Sequence, residues 1–438
     1  MSGSRFSYPE ALEIKPVARP PSATLRVPGS KSITNRALVL AALSSSRGAC
    51  ELRGVLRSED TEVMIACLRD LGFEVTPYWA EPAVRVGYNE HSEIIPASDA
   101  DLFVANSGTT MRFLTALVSL GHGRYRLDGV ARMRERPIED LLIALRQLGV
   151  REATTETRHG FPPVIVKASG LPGGTARIKG DVSSQFLSAL LMVAPFTLDG
   201  VIIEVDGPLV SWPYVAMTEQ VMQQFGLDVA SDRDESRFQV ASQSPCAVAS
   251  FAVEPDASAA GYLFGAAAVT QGEVTVPGLS ERSLQGDVRF ANVLEGMGCR
   301  VSWGASEMTV QGRPLSGIEV DMNDISDCVM TLAAVACFAD GPSTIRNVGH
   351  IRHKETDRLR ALATELRRVG AGVEERDDGL TITPRPLRGA RIETYNDHRM
   401  AMSMALIGLR VPGMVIDNPG CVAKTYPGFF EDLERLRS

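Results

Sequence analysis

Several lysines and arginines stand where helices should begin, which is electrostatically the wrong end for them. Helix N-termini expose free N–H groups and carry partial positive charge, so they attract anions and disfavour cations. Lys31 and Arg36 open an apolar run after Pro28-Gly-Ser. Arg112 follows Asn106-Ser107-Gly108-Thr109-Thr110, and Arg399 follows Asn396-Asp397-His398. Arg136 precedes Pro137, which is read as a first helical residue. Lys354 and Arg358 flank Glu355, and Lys424 lies in Cys421-Val-Ala-Lys-Thr-Tyr426. For each cation alone, a solvated surface charge is the plainer reading, and Ser30 or Ser32 alone reads as a helix cap. Several such cations at equivalent points of an acidic chain point instead to shared binding of phosphate and carboxylate groups.

Two acids complete the chemistry. Asp327 sits in Ile325-Ser-Asp-Cys-Val-Met-Thr-Leu332, read as an apolar helix for which Asn323 or Asp324 is the better cap. A carboxylate among bound anions and partly desolvated would make a general base. Glu355, beside Lys354, has the same character.

These clusters are positioned by a repeat. Six polar openings, at Lys31, Asn106, Asp181, Pro255, Asn323 and Asn396, each lead into an apolar stretch, a β-branched stretch and a glycine. Those glycines are Gly54, Gly129, Gly207, Gly278, Gly349 and Gly420, spaced by 75, 78, 71, 71 and 71 residues. A fixed period of this size marks one supersecondary unit copied along the chain. A second series, Gly72, Gly149, Gly226, Gly298 and Gly370, follows amphipathic stretches and reads as left-handed C-caps. The clearest is Glu355 to Val369, with Leu359, Leu362, Leu366 and Val369 on one face. The opening helices, such as Phe186 to Val193 and Met400 to Leu409, are apolar nearly all round and read as buried. Each unit is thus buried helix, strand, amphipathic helix and one or more strands, an α/β pattern. The change of period divides the chain into two halves of three units, with a boundary near Ala249 to Glu254. Two halves facing each other would set six helix N-termini around a cleft, where cations of both would repel until an anion offsets them.

Composition removes other classes. A net charge of −8 with no basic tail argues against nucleic acid. No apolar run reaches membrane-spanning length, and Met1 to Pro20 has no signal-peptide core. Seven scattered cysteines without CxxC pairing suit reduced thiols in a cytoplasm, and no metal-binding spacing is present. Gly29-Ser-Lys31-Ser32 lacks the first glycine of a nucleotide-binding P-loop.

The motifs PGSKSITNRAL, NSGTTMR, RMRERPIEDL, DVSSQFLSALL, SWPYV, SDCVMTLA, KETDRLRALATELRRVG, YNDHRMAMS and CVAKTYPGF occur in that order. Together they make the chain resemble the 5-enolpyruvylshikimate-3-phosphate synthases, from about Leu25 to Leu436. The resemblance implies the enolpyruvyl transferase fold: two similar domains, each of three βαβαββ units with buried parallel helices. The domains would be 27–250, and 1–26 with 251–438, the N-terminal strand completing the second. It implies transfer of the enolpyruvyl group of phosphoenolpyruvate to the 5-hydroxyl of shikimate 3-phosphate, releasing phosphate, with no cofactor or metal.

By motif match, Lys31, Ser32, Arg36, Ser183, Ser184, Gln185, Ser211, Tyr214, Asp327 and Lys354 would hold shikimate 3-phosphate. Lys31, Gly108, Arg136, Gln185, Arg358, Arg399 and Lys424 would hold phosphoenolpyruvate. Asp327 would take the hydroxyl proton, and Glu355 or Lys31 would protonate the enolpyruvyl carbon. A cytoplasmic monomer that is sensitive to glyphosate is expected. The chain departs from the family's common pattern at His350, Trp212, Phe113 and Ser107, the last beside the expected phosphoenolpyruvate pocket. Rival readings are a UDP-N-acetylglucosamine enolpyruvyl transferase, which usually has a cysteine near Arg132 to Pro137, and a non-catalytic sensor of phosphorylated sugars. The first lacks its cysteine here, and the second needs neither acid.

Overall fold

The computed structural model describes residues 8–91 and 93–437. The reading of Met1 to Pro20 as lacking a signal segment, and the start of the 1–26 range, fall partly on residues 1–7, outside the described residues. The chain forms two compact domains. The central domain is Gly29–Val253, and the terminal domain joins the chain up to Pro28 with Glu254 onward.

One repeat shows the plan. Strand Asp99–Phe103 leads into the buried helix Gly108–Leu117, strand His122–Asp128, helix Glu139–Gln147, and the hairpin Glu152–Thr155 with Val164–Ser169. The first two strands pair in parallel, and the last strand of the hairpin pairs antiparallel with the second. A parallel pair needs a crossover, which the buried helix supplies. Five four-stranded sheets share this order, and a three-stranded sheet is the sixth.

Three repeats are completed by strands distant in sequence. Ser250–Ala252 pairs in parallel with Cys50–Arg53 of the first repeat. Ser22–Thr24 takes the same place beside Glu273–Pro277 of the fourth. Ala11–Ile14 pairs antiparallel with Met414–Asp417 of the sixth.

The helices that read as apolar all round are buried. Every residue of Ala257–Thr270 is buried, and so is every residue of His398–Gly408. In the terminal domain the three buried helices pack on one another. The amphipathic helix begins at Arg358, three residues later than the sequence pattern places it, because Asp357 caps it. Leu359, Leu362, Leu366 and Val369 are fully buried as expected.

The glycines after the amphipathic helices, Gly72, Gly149, Gly226, Gly298 and Gly370, all have positive φ, as left-handed C-caps require. The first glycine series is less uniform. Gly54, Gly207 and Gly278 turn the chain with positive φ, but in the last two repeats Asn347 and Asn418 hold that position, two residues ahead of Gly349 and Gly420. Asparagine tolerates the left-handed region better than most residues.

Candidate active site

The N-termini of the buried helices are capped by their own polar openings. Ser30, Ser107, Ser183, Asp256 and Asp397 each accept a bond from a backbone N–H of the first turn. Ser107 is fully buried, with its hydroxyl 2.8 Å from that of Thr110. It is the cap of the Gly108–Leu117 helix.

The fifth repeat breaks this rule. Residues Asn323–Cys328 wind as a 3₁₀ segment with non-helical backbone at Ile325, and the α-helix starts only at Val329. Neither Asn323 nor Asp324 caps it, and Asp327 lies just ahead of the helix instead of inside it. Its carboxylate is therefore available to other partners.

Those partners are arginines of the same domain. Arg358 Nη1 lies 3.2 Å from Asp327 Oδ1, and Arg399 Nη2 lies 2.6 Å from Oδ2. Arg358 also reaches Glu355 Oε2 at 2.8 Å and Asp397 Oδ2 at 2.9 Å. Lys424 stands 3.4 Å from Glu355 Oε1. Arg399 Nη1 donates to the buried Tyr262 hydroxyl at 3.0 Å. Burial alone would pull the Arg358 guanidinium down, but Asp397, Glu355 and Asp327 outweigh it and hold it above the ordinary arginine value. Burial also keeps the Tyr262 phenol neutral, raising it well above its usual value. His350 is buried beside Lys354, and burial followed by that ammonium pushes its imidazole down to about 3, so it is neutral at physiological pH.

In the central domain, Lys31 lies at the helix start 3.2 Å from the buried Asp60 carboxylate. Arg36 is 1% exposed. Its guanidinium donates to Thr218 at 2.7 Å, Ser188 at 3.3 Å and the carbonyls of Ser32 and Tyr214, each at 3.0 Å. It ties three helices together and lies 5.3 Å from the centre of the Phe113 ring. Burial lowers it to about 10, so it remains charged near neutral pH.

Ser183 and Gln185 are half-buried at the third helix start, and Ser184 is buried between them. Ser211 precedes helix Trp212–Gln224 in a left-handed conformation, with Tyr214 in the first turn. Trp212 stacks on Phe238, and Arg233 lies over its ring at 3.9 Å.

Arg136 donates to the Asn106 carbonyl at 3.1 Å. The turn that carries it is pinned by Asp128, which accepts from Gly129 N and from Arg134 and Arg126. Pro137 is not a first helical residue, since the following helix starts at Glu139. Gly108 lies against both Arg136 and Arg112. A side-chain carbon there would fall 2.4 Å and 2.9 Å from their guanidinium nitrogens.

Several of the cations are ion-paired. Lys31, Arg358, Arg399 and Lys424 each face a carboxylate of their own domain. What they present is a set of ion pairs that an anion can enter by competition.

The EPSP synthase (3-phosphoshikimate 1-carboxyvinyltransferase) family profile matches residues 18–433. The chain belongs to that family. A 3-phosphoshikimate 1-carboxyvinyltransferase of Nostoc punctiforme is 50% identical over 424 residues, covering 96% of this chain and 98% of the relative. Another from Shewanella sp. is 45% identical over 431 residues, covering 97% and 99%. The EPSP synthase structure from Acinetobacter baumannii superposes with a TM-score of 0.78 at 24% identity, over 97% of this chain and 98% of that one. The enolpyruvyl transferase NikO from Streptomyces tendae gives 0.76 at 21% identity, over 98% and 97%. These two establish the fold.

Family membership favours the shikimate reading over the UDP-N-acetylglucosamine one. Among the described residues no helix is long and apolar enough to cross a membrane. Reading the sequence alone missed Asp60, Asp397 and Tyr262. Asp397 lay in view inside Asn396-Asp-His-Arg399, but nothing local tells a cap from a carboxylate that also grips Arg358.

Proposed function

We propose that the chain transfers the enolpyruvyl group of phosphoenolpyruvate to the 5-hydroxyl of shikimate 3-phosphate by addition and elimination. The observation that carries this reading, beside family membership, is Asp327 gripped by two guanidiniums next to Glu355 and Lys424. Arg358, Arg399 and Lys424 are the terminal-domain groups for the phosphate and carboxylate of phosphoenolpyruvate. An incoming anion draws the donors of Arg358 and Arg399 away from Asp327. The freed carboxylate then accepts the hydroxyl proton as the oxygen attacks C2. Glu355 or Lys31 protonates C3. Loss of a proton from C3 and of phosphate from C2 then restores the double bond. The cations stabilise the charge that develops on the phosphate and carboxylate groups.

In the central domain, Lys31, Ser32, Arg36, Ser183, Ser184, Gln185, Ser211 and Tyr214 are assigned to shikimate 3-phosphate. Asp327 and Lys354 are assigned to the same substrate. Gly108 and Arg136, with Lys31 and Gln185, are assigned to phosphoenolpyruvate. The reading includes a cytoplasmic monomer. The seven cysteines, all free thiols, fit a reducing compartment.

The test is phosphate release from phosphoenolpyruvate supplied with shikimate 3-phosphate or with UDP-N-acetylglucosamine. Release with the first alone is expected. Asp327→Ala and Glu355→Gln should each lower kcat by about 10²- to 10⁴-fold, with smaller changes in substrate affinity. Near-normal kcat in both would remove the two acids from the mechanism.

A further inference from the structure

Arg352 lies outside the ion-pair cluster, yet its guanidinium spans the loop that presents Lys354 and Glu355. One nitrogen, Nη1, donates to both oxygens of Asp357 at 2.9 Å and to Glu375 Oε1 at 2.9 Å. Nη2 reaches the Arg376 carbonyl at 2.7 Å, and Nε the Asp377 carbonyl at 3.0 Å. The Arg352–Asp357 pair closes a ring over residues 353 to 356, and the other contacts fasten that ring to strand Gly372–Arg376 and the turn after it. Asp357 is at the same time the cap of helix Arg358–Arg368, accepting from Arg360 N at 3.1 Å. The backbone between the 3₁₀ segment Gly349–His353 and that helix is non-helical at Lys354. No regular structure therefore fixes the two residues in the ring.

We propose that Arg352 and Asp357 are positioning residues, a clasp that sets where Lys354 and Glu355 point. This rests on the reading that Lys354 and Glu355 act on the substrates. The planar fork of arginine suits the role, since it meets two carboxylates and two carbonyls in fixed directions.

The experiment compares Arg352→Met, Arg352→Lys, Asp357→Asn and Glu355→Gln in the full chain. Asparagine caps a helix about as well as aspartate, so Asp357→Asn removes the charge pairing but keeps the helix start. Arg352→Met and Asp357→Asn should lower kcat by about 10- to 100-fold, the cost of a small misplacement of reacting groups. KM for shikimate 3-phosphate should rise, and KM for phosphoenolpyruvate should stay within about three-fold of wild type. Arg352→Lys should recover part of the loss, because an ammonium can meet the carboxylates but not both carbonyls as well.

If Arg352→Met does not fold, Asp357→Asn carries the test alone. Should Glu355→Gln lose kcat while both clasp variants keep wild-type kcat and KM, or change only in melting temperature, the clasp is overturned. If Glu355→Gln itself keeps kcat, the reading of Glu355 is wrong and the clasp falls with it.

Discussion

An alanine at position 108 would place its methyl 2.4 Å from one guanidinium nitrogen of Arg136 and 2.9 Å from one of Arg112. The first contact of that methyl is with the protein's own cations. Arg136 is the far end of a flexible side chain, so it swings away and loses its bond to the Asn106 carbonyl. Gly108→Ala should therefore raise KM for phosphoenolpyruvate by about 10-fold or more, the worth of one bond to a charged group. The phosphonate inhibitor glyphosate should lose more affinity than the substrate, measured as Ki in competition with phosphoenolpyruvate. An unchanged Ki would mean that the pocket is placed wrongly. At this scale the cations were legible because they recur near helix starts at equivalent points of the repeat. Their partners were not, because Asp397 meets Arg358 across 39 residues of chain and only folding brings them together. Arg36 looked like a ligand-holding cation by position, and the structure shows how much of its hydrogen bonding is spent on helix packing.

Helix ends were read well where one residue decides them and poorly where the backbone leaves the helix. The five C-cap glycines hold the conformation that the sequence demands. The start of the fifth buried helix was misplaced, since the 3₁₀ winding of Asn323–Cys328 has no compositional signature. That displacement is what releases Asp327: a carboxylate spent on first-turn N–H groups would be a poor base. Gly370 and Gly349, one from each glycine series, can be told apart by substitution. Gly370 sits at φ +104 with the Pro386 carbonyl oxygen 2.9 Å from an added carbon. Gly370→Ala should lower stability by about 1–3 kcal/mol through backbone strain and that contact. Gly349 has no positive φ, and the Asp377 carbonyl oxygen lies 3.4 Å from where an added carbon would fall. Gly349→Ala should stay within about 0.5 kcal/mol of wild type. Urea unfolding of the two variants checks this, and equal losses would show that Gly349 is as constrained as Gly370.

Across the whole molecule, the repeat gave both domains the same elements, but their buried ionisable groups differ. In the terminal domain, burial pushes the Cys337 and Cys421 thiols up to about 12 and Cys328 well above its ordinary value. It raises the Tyr262 and Tyr426 phenols as well. In the central domain, burial raises Cys50 to about 11 and Cys67 to about 12, and Tyr125 is also raised. The sign follows from linkage. Above pH 9 the unfolded chain releases these thiol protons while the folded chain retains them, so the unfolded state binds fewer protons and stability falls as pH rises. Phenols add to this above about pH 10. Below pH 9 these groups are protonated in both states and their contribution is intact. The loss should be steeper for the terminal domain, whose raised groups are more numerous. Tryptophan offers a separate signal for each domain, because Trp303 lies in the terminal domain and Trp79 and Trp212 in the central one. Variants that keep only Trp303, or only Trp79 and Trp212, can be unfolded in urea between pH 8 and 10.5 and followed by fluorescence. The midpoint reported by Trp303 should fall faster with pH than the other. Cys337→Ala should flatten its slope by up to about one proton above pH 9. A central-domain signal that falls first would show that burial of these thiols and phenols does not set the alkaline limit.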